Sequence, residues 1–253
     1  ICFVMLFGTM SVSAAEIAKE TLYLQGVLAN SEVKAARIPN TTRNIVLFDL
    51  EDNGIKTLCY CLSSEEGDHL STPSSIMDDY TWDMQPFLFT DETKSNNNII
   101  ITWTNSNKRY VKSVFDDFDK NVTPEEFAGT MRISVAVMDS ETLTFPFEPY
   151  IFTPDDSDKA CYYNSRVTKI DDKYLITWVV CRDIINGARK YSIEGLYFDP
   201  DKNEFSSNDN KKDASGKPVP MVLVSGCNYI NAYSVGSPDG RISVLFEEAT
   251  EVR

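Results

Sequence analysis

One short strand pattern constrains this chain more than anything else in it. Asn98-Ile99-Ile100-Ile101-Thr102-Trp103 recurs as Lys173-Tyr174-Leu175-Ile176-Thr177-Trp178, and Arg241-Ile242-Ser243-Val244-Leu245-Phe246 is a weaker third copy. Apolar residues at consecutive positions fit strands buried on both faces. Each copy follows a polar turn (94–98, 171–173 and 237–240), and a short strand precedes each turn (86–90, 166–170 and 232–235). A second pattern has an apolar residue, then Asp, an acidic residue two further on, and an apolar residue to close. It occurs as Phe48-Asp49-Leu50-Glu51-Asp52-Asn53-Gly54-Ile55, as Met138-Asp139-Ser140-Glu141-Thr142-Leu143-Thr144-Phe145, and as Phe198-Asp199-Pro200-Asp201-Lys202-Asn203-Glu204-Phe205. Asp, Pro and Asn set up tight turns, so each reads as a hairpin.

In order, the patterns make a unit of four strands, two hairpins joined by a loop. From Trp to Asp the unit runs 36 residues in one copy (Trp103 to Asp139) and 21 in the next (Trp178 to Asp199), so only the middle loop has grown. That loop carries Thr123-Pro124-Glu125-Glu126, a helix-start signal with Thr as cap and Pro at the first helical position. A lone four-stranded sheet exposes two apolar faces, which neighbouring sheets must cover. The expectation is an all-β chain of four-stranded antiparallel blades, a β-propeller. Roughly three to three and a half blades are present where propellers hold about four to eight, so an incomplete propeller is expected. The units lie near 45–62, 80–153, 162–225 and 229–253, within a partial propeller over 16–253. Tandem β-sandwiches are the alternative, with strands that recur without a fixed four-strand unit.

The hairpin 198–205 resembles the outer hairpin of kelch-type propeller blades, and the Ile-Thr-Trp strand resembles the second blade strand of bacterial exported propellers. The resemblance spans 45–246. The glycine pair of kelch blades is missing, and Ser237-Pro238-Asp239-Gly240 lacks the spacing of the sialidase-like Asp-box. The resemblance therefore implies an exported propeller repeat protein and assigns no catalytic residue.

Residues 1–10 are an apolar run, and Ser11-Val12-Ser13-Ala14-Ala15 supplies small residues for cleavage. Residues 1–15 read as a signal peptide missing its true start, which implies a secreted or cell-surface protein. The run is too short to span a bilayer, which needs about 20 apolar residues. The net charge of -14 argues against nucleic acid and anionic lipid as partners. It leaves extracellular proteins and carbohydrates, with no membrane insertion of the mature chain. Of six cysteines, Cys2 leaves with the signal and Cys59, Cys61, Cys161, Cys181 and Cys227 remain. Cys59 and Cys61 would share one face of a strand. The odd count favours buried free thiols, with one disulfide among Cys161, Cys181 and Cys227 as the alternative. With His69 the sole histidine and no Cys-x-x-Cys, no zinc site is expected.

No cofactor is expected. A calcium site from Asp116, Asp117 and Asp119 is the one cation reading left open, because 199–210 fails the EF-hand pattern at its sixth and twelfth positions. Tyr80, Trp82, Tyr162, Tyr163 and Tyr229 lie just before the first strands of their units, positions that lead toward the central axis of a propeller. Of these, Tyr80, Trp82, Tyr163 and Tyr229 are the candidate ligand-binding residues, with Tyr80, Tyr163 and Tyr229 aligned as equivalent copies. Asp83 and Asp91 flank an inner-strand candidate, and Glu247 and Glu248 follow the last strand, but no two carboxylates are singled out as a glycosidase pair. Asn40-Thr41-Thr42 and Asn121-Val122-Thr123 match glycosylation acceptors. The expected function is a propeller binding module for protein or carbohydrate, leaning away from an enzyme. The alternative is a truncated propeller-type glycoside hydrolase.

Overall fold

The structure is a computed structural model that describes residues 31–52, 55–77, 79–91, 98–108, 123–153, 160–185, 188–226, 229–236 and 241–248. The signal-like residues 1–15, the candidate calcium residues Asp116, Asp117 and Asp119, the acceptor Asn121, Cys227 and the turn 237–240 lie outside them.

The first sheet orders β1 (Lys34–Arg37), β2 (Asn44–Asp52), β3 (Ile55–Leu62) and β4 (Ser74–Ser75). The second orders β5 (Asp83–Thr90), β6 (Asn98–Asn105), β7 (Arg132–Asp139) and β8 (Tyr150–Phe152). The third orders β9 (Cys161–Ile170), β10 (Lys173–Ile185), β11 (Ala188–Asp199) and β12 (Glu204–Ser206), with β13 (Met221–Ser225) also on β11. β14 (Tyr229–Gly236) and β15 (Ile242–Glu248) form a final hairpin. All pairings between these strands are antiparallel and join neighbours in sequence, apart from β13 on β11. The one helix among the described residues, α1 (Pro124–Ala128), sits in the enlarged loop before β7. Thr123 and Glu126 cap it reciprocally: the Thr123 amide donates to Glu126 Oε2 at 2.8 Å, and the Glu126 amide to Thr123 Oγ1 at 3.1 Å.

Strand alternation welds the sheets together. From β6, Ile99, Ile101 and Trp103 pack toward the first sheet with Ile38, Ile45, Leu47 and Leu58. The intervening Ile100 packs the other way, with Tyr174, Ile176 and Trp178 of the third sheet. β7 divides likewise, Ala136 and Met138 to one side and Ile133, Val135 and Val137 to the other. Val179 and Ile193 then meet Val244 of the last hairpin. The second and third sheets are thus apolar on both faces and covered by a neighbour on each, which is why the runs around Ile-Thr-Trp show no polar alternation. Two four-stranded blades, a third whose β11 edge carries both β12 and β13, and the inner hairpin of a fourth make an incomplete β-propeller, with β1, β5, β9 and β14 as the inner strands.

The two intact Ile-Thr-Trp copies occupy second-strand positions, β6 and β10, and the weak copy forms β15. The Asp-turn copies are not all equivalent. Asp139 and Asp199 end third strands and nucleate outer turns: Asp139 Oδ1 accepts the amides of Glu141 and Thr142 at 2.9 and 2.8 Å, and Asp199 Oδ1 accepts that of Asp201 at 3.1 Å. These hydrogen bonds help hold both carboxyls below the usual range; at Asp199 the Lys202 ammonium is the larger cause. Asp49, in contrast, lies within the second strand β2, fully buried, with Lys56 Nζ at 2.7 Å. The hairpin 48–55 therefore joins second and third strands, not third and fourth. The hairpin read at 45–62 is the centre of a full blade flanked by β1 and β4.

Close approach of strands fixes one glycine. A Cβ on Gly195 would lie 2.9 Å from the Ile176 carbonyl oxygen and 3.1 Å from the Thr177 side-chain Cγ2, and the carbonyl cannot yield inside a paired sheet. Gly195→Ala is expected to destabilise the fold by about 1–3 kcal/mol, read as a lowered urea midpoint at unchanged slope.

A candidate functional site at the start of the inner strands

Three of the four inner strands share an irregularity that the sequence patterns do not show. β5 shifts register between Met84 and Phe87, where Gln85 has φ 53°; β9 shifts beside Asn164, φ 56°; and β14 shifts between Tyr229 and Asn231. These are β-bulges, which re-aim side chains and tend to sit beside functional surfaces. The first two touch. Gln85 Oε1 accepts the Thr104 hydroxyl and the Asn164 amide, both at 3.1 Å, so one side chain ties the bulge of one blade to the next.

The loop running into β5 is built around Asp79. Its Oδ1 accepts the Thr81 amide at 3.0 Å and the Thr81 hydroxyl at 2.5 Å, an Asx turn. Trp82 is pinned on the far side, its amide donating to Ser106 Oγ and its carbonyl accepting the Ser106 amide, each at 2.9 Å. Between these anchors Tyr80 holds φ 61° and leaves 59% of its surface exposed. A left-handed backbone is a true outlier for a bulky residue and costs about 1–3 kcal/mol.

Below the loop lies Asp83, 1% exposed. Its carboxylate accepts the Leu58 amide from the first blade at 3.1 Å, Trp103 Nε1 at 2.7 Å and Asn105 Nδ2 at 2.9 Å. Asn105 also donates to Thr81 Oγ1 at 2.5 Å, so hydrogen bonds run without a break from Asp83 to Asp79. Burial outweighs these donors and pushes the Asp83 carboxyl up to about 7. Asp91, just past the other end of β5, is buried too. It meets Lys169 Nζ at 2.9 Å and accepts the Tyr174 hydroxyl, whose own ionisation is pushed up by burial and by that carboxylate. The inner strand of the second blade is thus clamped by one buried carboxylate to the first blade and by another to the third.

The aromatic candidates separate. Tyr80 is the exposed one. Trp82, 7% exposed, packs edge-on against Phe127 of α1 at 5.7 Å, and Tyr162, 2% exposed, packs edge-on against Phe152 at 6.0 Å; neither presents a ring face of any size. Tyr163 is half-buried against Val179 and Val244. Tyr229 opens β14, and its side chain lies outside the described residues. Nor are Tyr80, Tyr163 and Tyr229 equivalent. Since Thr102 and Thr177 match, the register places Met84 opposite Thr104 as Tyr163 is opposite Val179, leaving Tyr80 outside the ladder. The loop before β5 is therefore an elaboration of one blade. Among the described residues no group of His, Cys, Asp and Glu is arranged to hold a metal, and no helix is long and apolar enough to cross a membrane.

No known protein family and no curated protein matches the sequence. Solved structures do resemble it. An α-L-arabinanase from Penicillium chrysogenum, complexed with arabinobiose, aligns at 11% identity and TM-score 0.43 over 80% of this chain and 53% of that one. An arabinanase from Bacillus subtilis aligns at 11% and 0.44 over 86% and 72%, and a GH43 endo-arabinanase from Bacillus licheniformis at 13% and 0.44 over the same shares. The chain spans about half the length of the Penicillium protein. The propeller architecture stands on the strand pairing and the alternating blade contacts themselves.

Proposed function

We propose that this chain is a secreted or cell-surface propeller module that binds carbohydrate at the start of its inner strands. The observation that carries the reading is Tyr80: an aromatic ring exposed in solvent, on backbone held in an unfavourable conformation by anchors on both sides. Strain persists only where its surroundings over-determine it, and such positions cluster at ligand sites. A rigid aromatic face gives contact area at small entropic cost, and the part-buried Asp79 carboxylate beside it suits hydroxyl groups. The acidic surface disfavours an anionic ligand. The sequence-level expectation of export through residues 1–15 supports an extracellular setting.

The test separates binding from folding. Tyr80→Gly removes the ring and relieves the left-handed backbone, so its Tm is expected to match or exceed wild type. Its affinity for glycans retained on an array that includes arabinobiose is expected to fall about tenfold or more, as for an aromatic hot spot. Unchanged glycan binding with a raised Tm would make the strained tyrosine an accident of the loop. The glycoside hydrolase alternative has one observation in its favour, a carboxyl titrating near neutrality. Asp83 is however enclosed by three donors and 1% exposed, a clamp and not an accessible acid. Release of reducing sugar by wild type but not by Asp83→Asn, with folding retained, would reverse that judgement.

A further inference from the structure

The third blade brings together two thiols that are 20 positions apart in sequence. Cys161 at the start of β9 and Cys181 in β10 are directly opposed in the antiparallel ladder. Their spacing follows from the neighbouring hydrogen bonds. The Tyr162 amide points out of the ladder to the Met131 carbonyl, and the Tyr191 carbonyl, opposite Cys181 on the other side, points away to the Gly226 amide. The pair 161/181 therefore takes the wide, hydrogen-bonded spacing of about 5.5 Å between Cα atoms. That lies inside the range of about 4.4–6.8 Å between Cα atoms that a disulfide spans, and closing the bond draws the Cβ atoms of this wide pair in from about 5 Å to about 4 Å. Directly opposed side chains share one face of the sheet, here the face that carries Tyr163 and Val179 against Val244 of the last hairpin. Both cysteines are half-buried, whereas Cys59 and Cys61 are buried in the first blade.

We propose that Cys161 and Cys181 are a modification site, a cross-strand dithiol that a disulfide oxidant closes into an intramolecular disulfide between β9 and β10, on the face of the third sheet that packs against the fourth. With glutathione disulfide as oxidant the chemistry balances. One cysteine thiolate attacks a glutathione sulfur, forming a mixed disulfide and expelling one glutathione thiolate. The second cysteine thiolate attacks the protein sulfur of that mixed disulfide, forming the protein S–S bond and expelling the other. The protein loses two protons and two electrons, and the oxidant leaves as two glutathione thiols. The bond closes the short loop that includes the β9–β10 turn and fixes the start of the inner strand next to Tyr163. An exported protein would meet such an oxidising milieu.

The test treats the folded full chain with glutathione disulfide, quenches it with an alkylating reagent and maps cross-links in a non-reduced digest. The expected result is one linked peptide pair, Cys161 with Cys181, with Cys59 and Cys61 still thiols. Closing this loop is expected to raise Tm by about 5 °C, reversed by reductant. In Cys161→Ser, Cys181 is expected to stop at the mixed glutathione disulfide. A bond from either cysteine to Cys227, or glutathione left on both in wild type, overturns the proposal. The wild-type map decides even if a serine variant fails to fold.

Discussion

Asp83→Ala is expected to lower unfolding free energy by about 3–5 kcal/mol, measured by urea denaturation near pH 8. Three buried donors, the Leu58 amide, Trp103 Nε1 and Asn105 Nδ2, lose their acceptor together. Each orphaned donor carries its own desolvation penalty, and Leu58, Trp103 and Asn105 are all fully buried. The same residue sets a pH dependence whose sign is fixed. Burial raises the folded-state carboxyl from 3.8 to about 7, so the native state holds a proton that the unfolded chain has released. The stabilisation is complete below the unfolded value and is lost as pH rises through about 7. Between pH 5 and pH 8 wild type is expected to lose about 2–3 kcal/mol that Asp83→Asn does not. Parallel pH profiles for the two proteins would show that Asp83 stays ionised throughout.

Much of the architecture was legible because it rests on periodicity. A strand apolar at every position, recurring behind a polar turn, needs a sheet on either side, and the alternate packing of Ile99, Ile100 and Ile101 is that requirement met. The helix at 124–128 was legible from its cap, since Thr123 and Glu126 act through local spacing alone. The Asp-turn pattern misled at its first copy for an equally local reason. An apolar-Asp-x-acid string fits a turn when Asp bonds the next amides, as Asp139 does, and fits a strand when a lysine across the ladder meets the carboxylate. Lys56, near Asp49 only once β2 and β3 pair, was the partner that sequence spacing could not rank.

The site was less legible because its parts come from different blades. Asp83 was noticed as a flank of an inner strand. Its role depends on Leu58, Trp103 and Asn105, which are 20 to 25 residues away and converge only after two sheets pack. The bulge at Gln85 left no signal, since glutamine does not mark a left-handed residue, and Asn164 left only the weak one that asparagine carries. Tyr80 and Trp82 looked alike as aromatics beside one strand. Anchoring by Ser106 and Phe127 sends one inward, and the Asx turn at Asp79 leaves the other out.

The two Ile-Thr-Trp copies end in tryptophans that sequence treats as interchangeable, and their replacement is expected to show that they are not. Both rings are fully buried. Trp103 Nε1 donates to a buried carboxylate at 2.7 Å, whereas Trp178 Nε1 is buried with no hydrogen-bond partner among the described residues. Trp→Phe removes similar ring volume at each position, about 1 kcal/mol of packing. At 178 it also removes an unsatisfied N–H, which offsets that loss. At 103 it removes a hydrogen bond to a charge and leaves the carboxylate less solvated, adding about 1.5–3 kcal/mol. Trp103→Phe is therefore expected to cost about 2–3 kcal/mol more than Trp178→Phe in urea unfolding at pH 8. The gap should narrow at pH 5, where Asp83 is protonated and accepts more weakly, and should shrink when Trp103→Phe is made on an Asp83→Asn background. Equal costs at both tryptophans, at both pH values, would mean that the carboxylate is held by the Leu58 and Asn105 donors alone and that the Trp103 hydrogen bond adds nothing to the clamp.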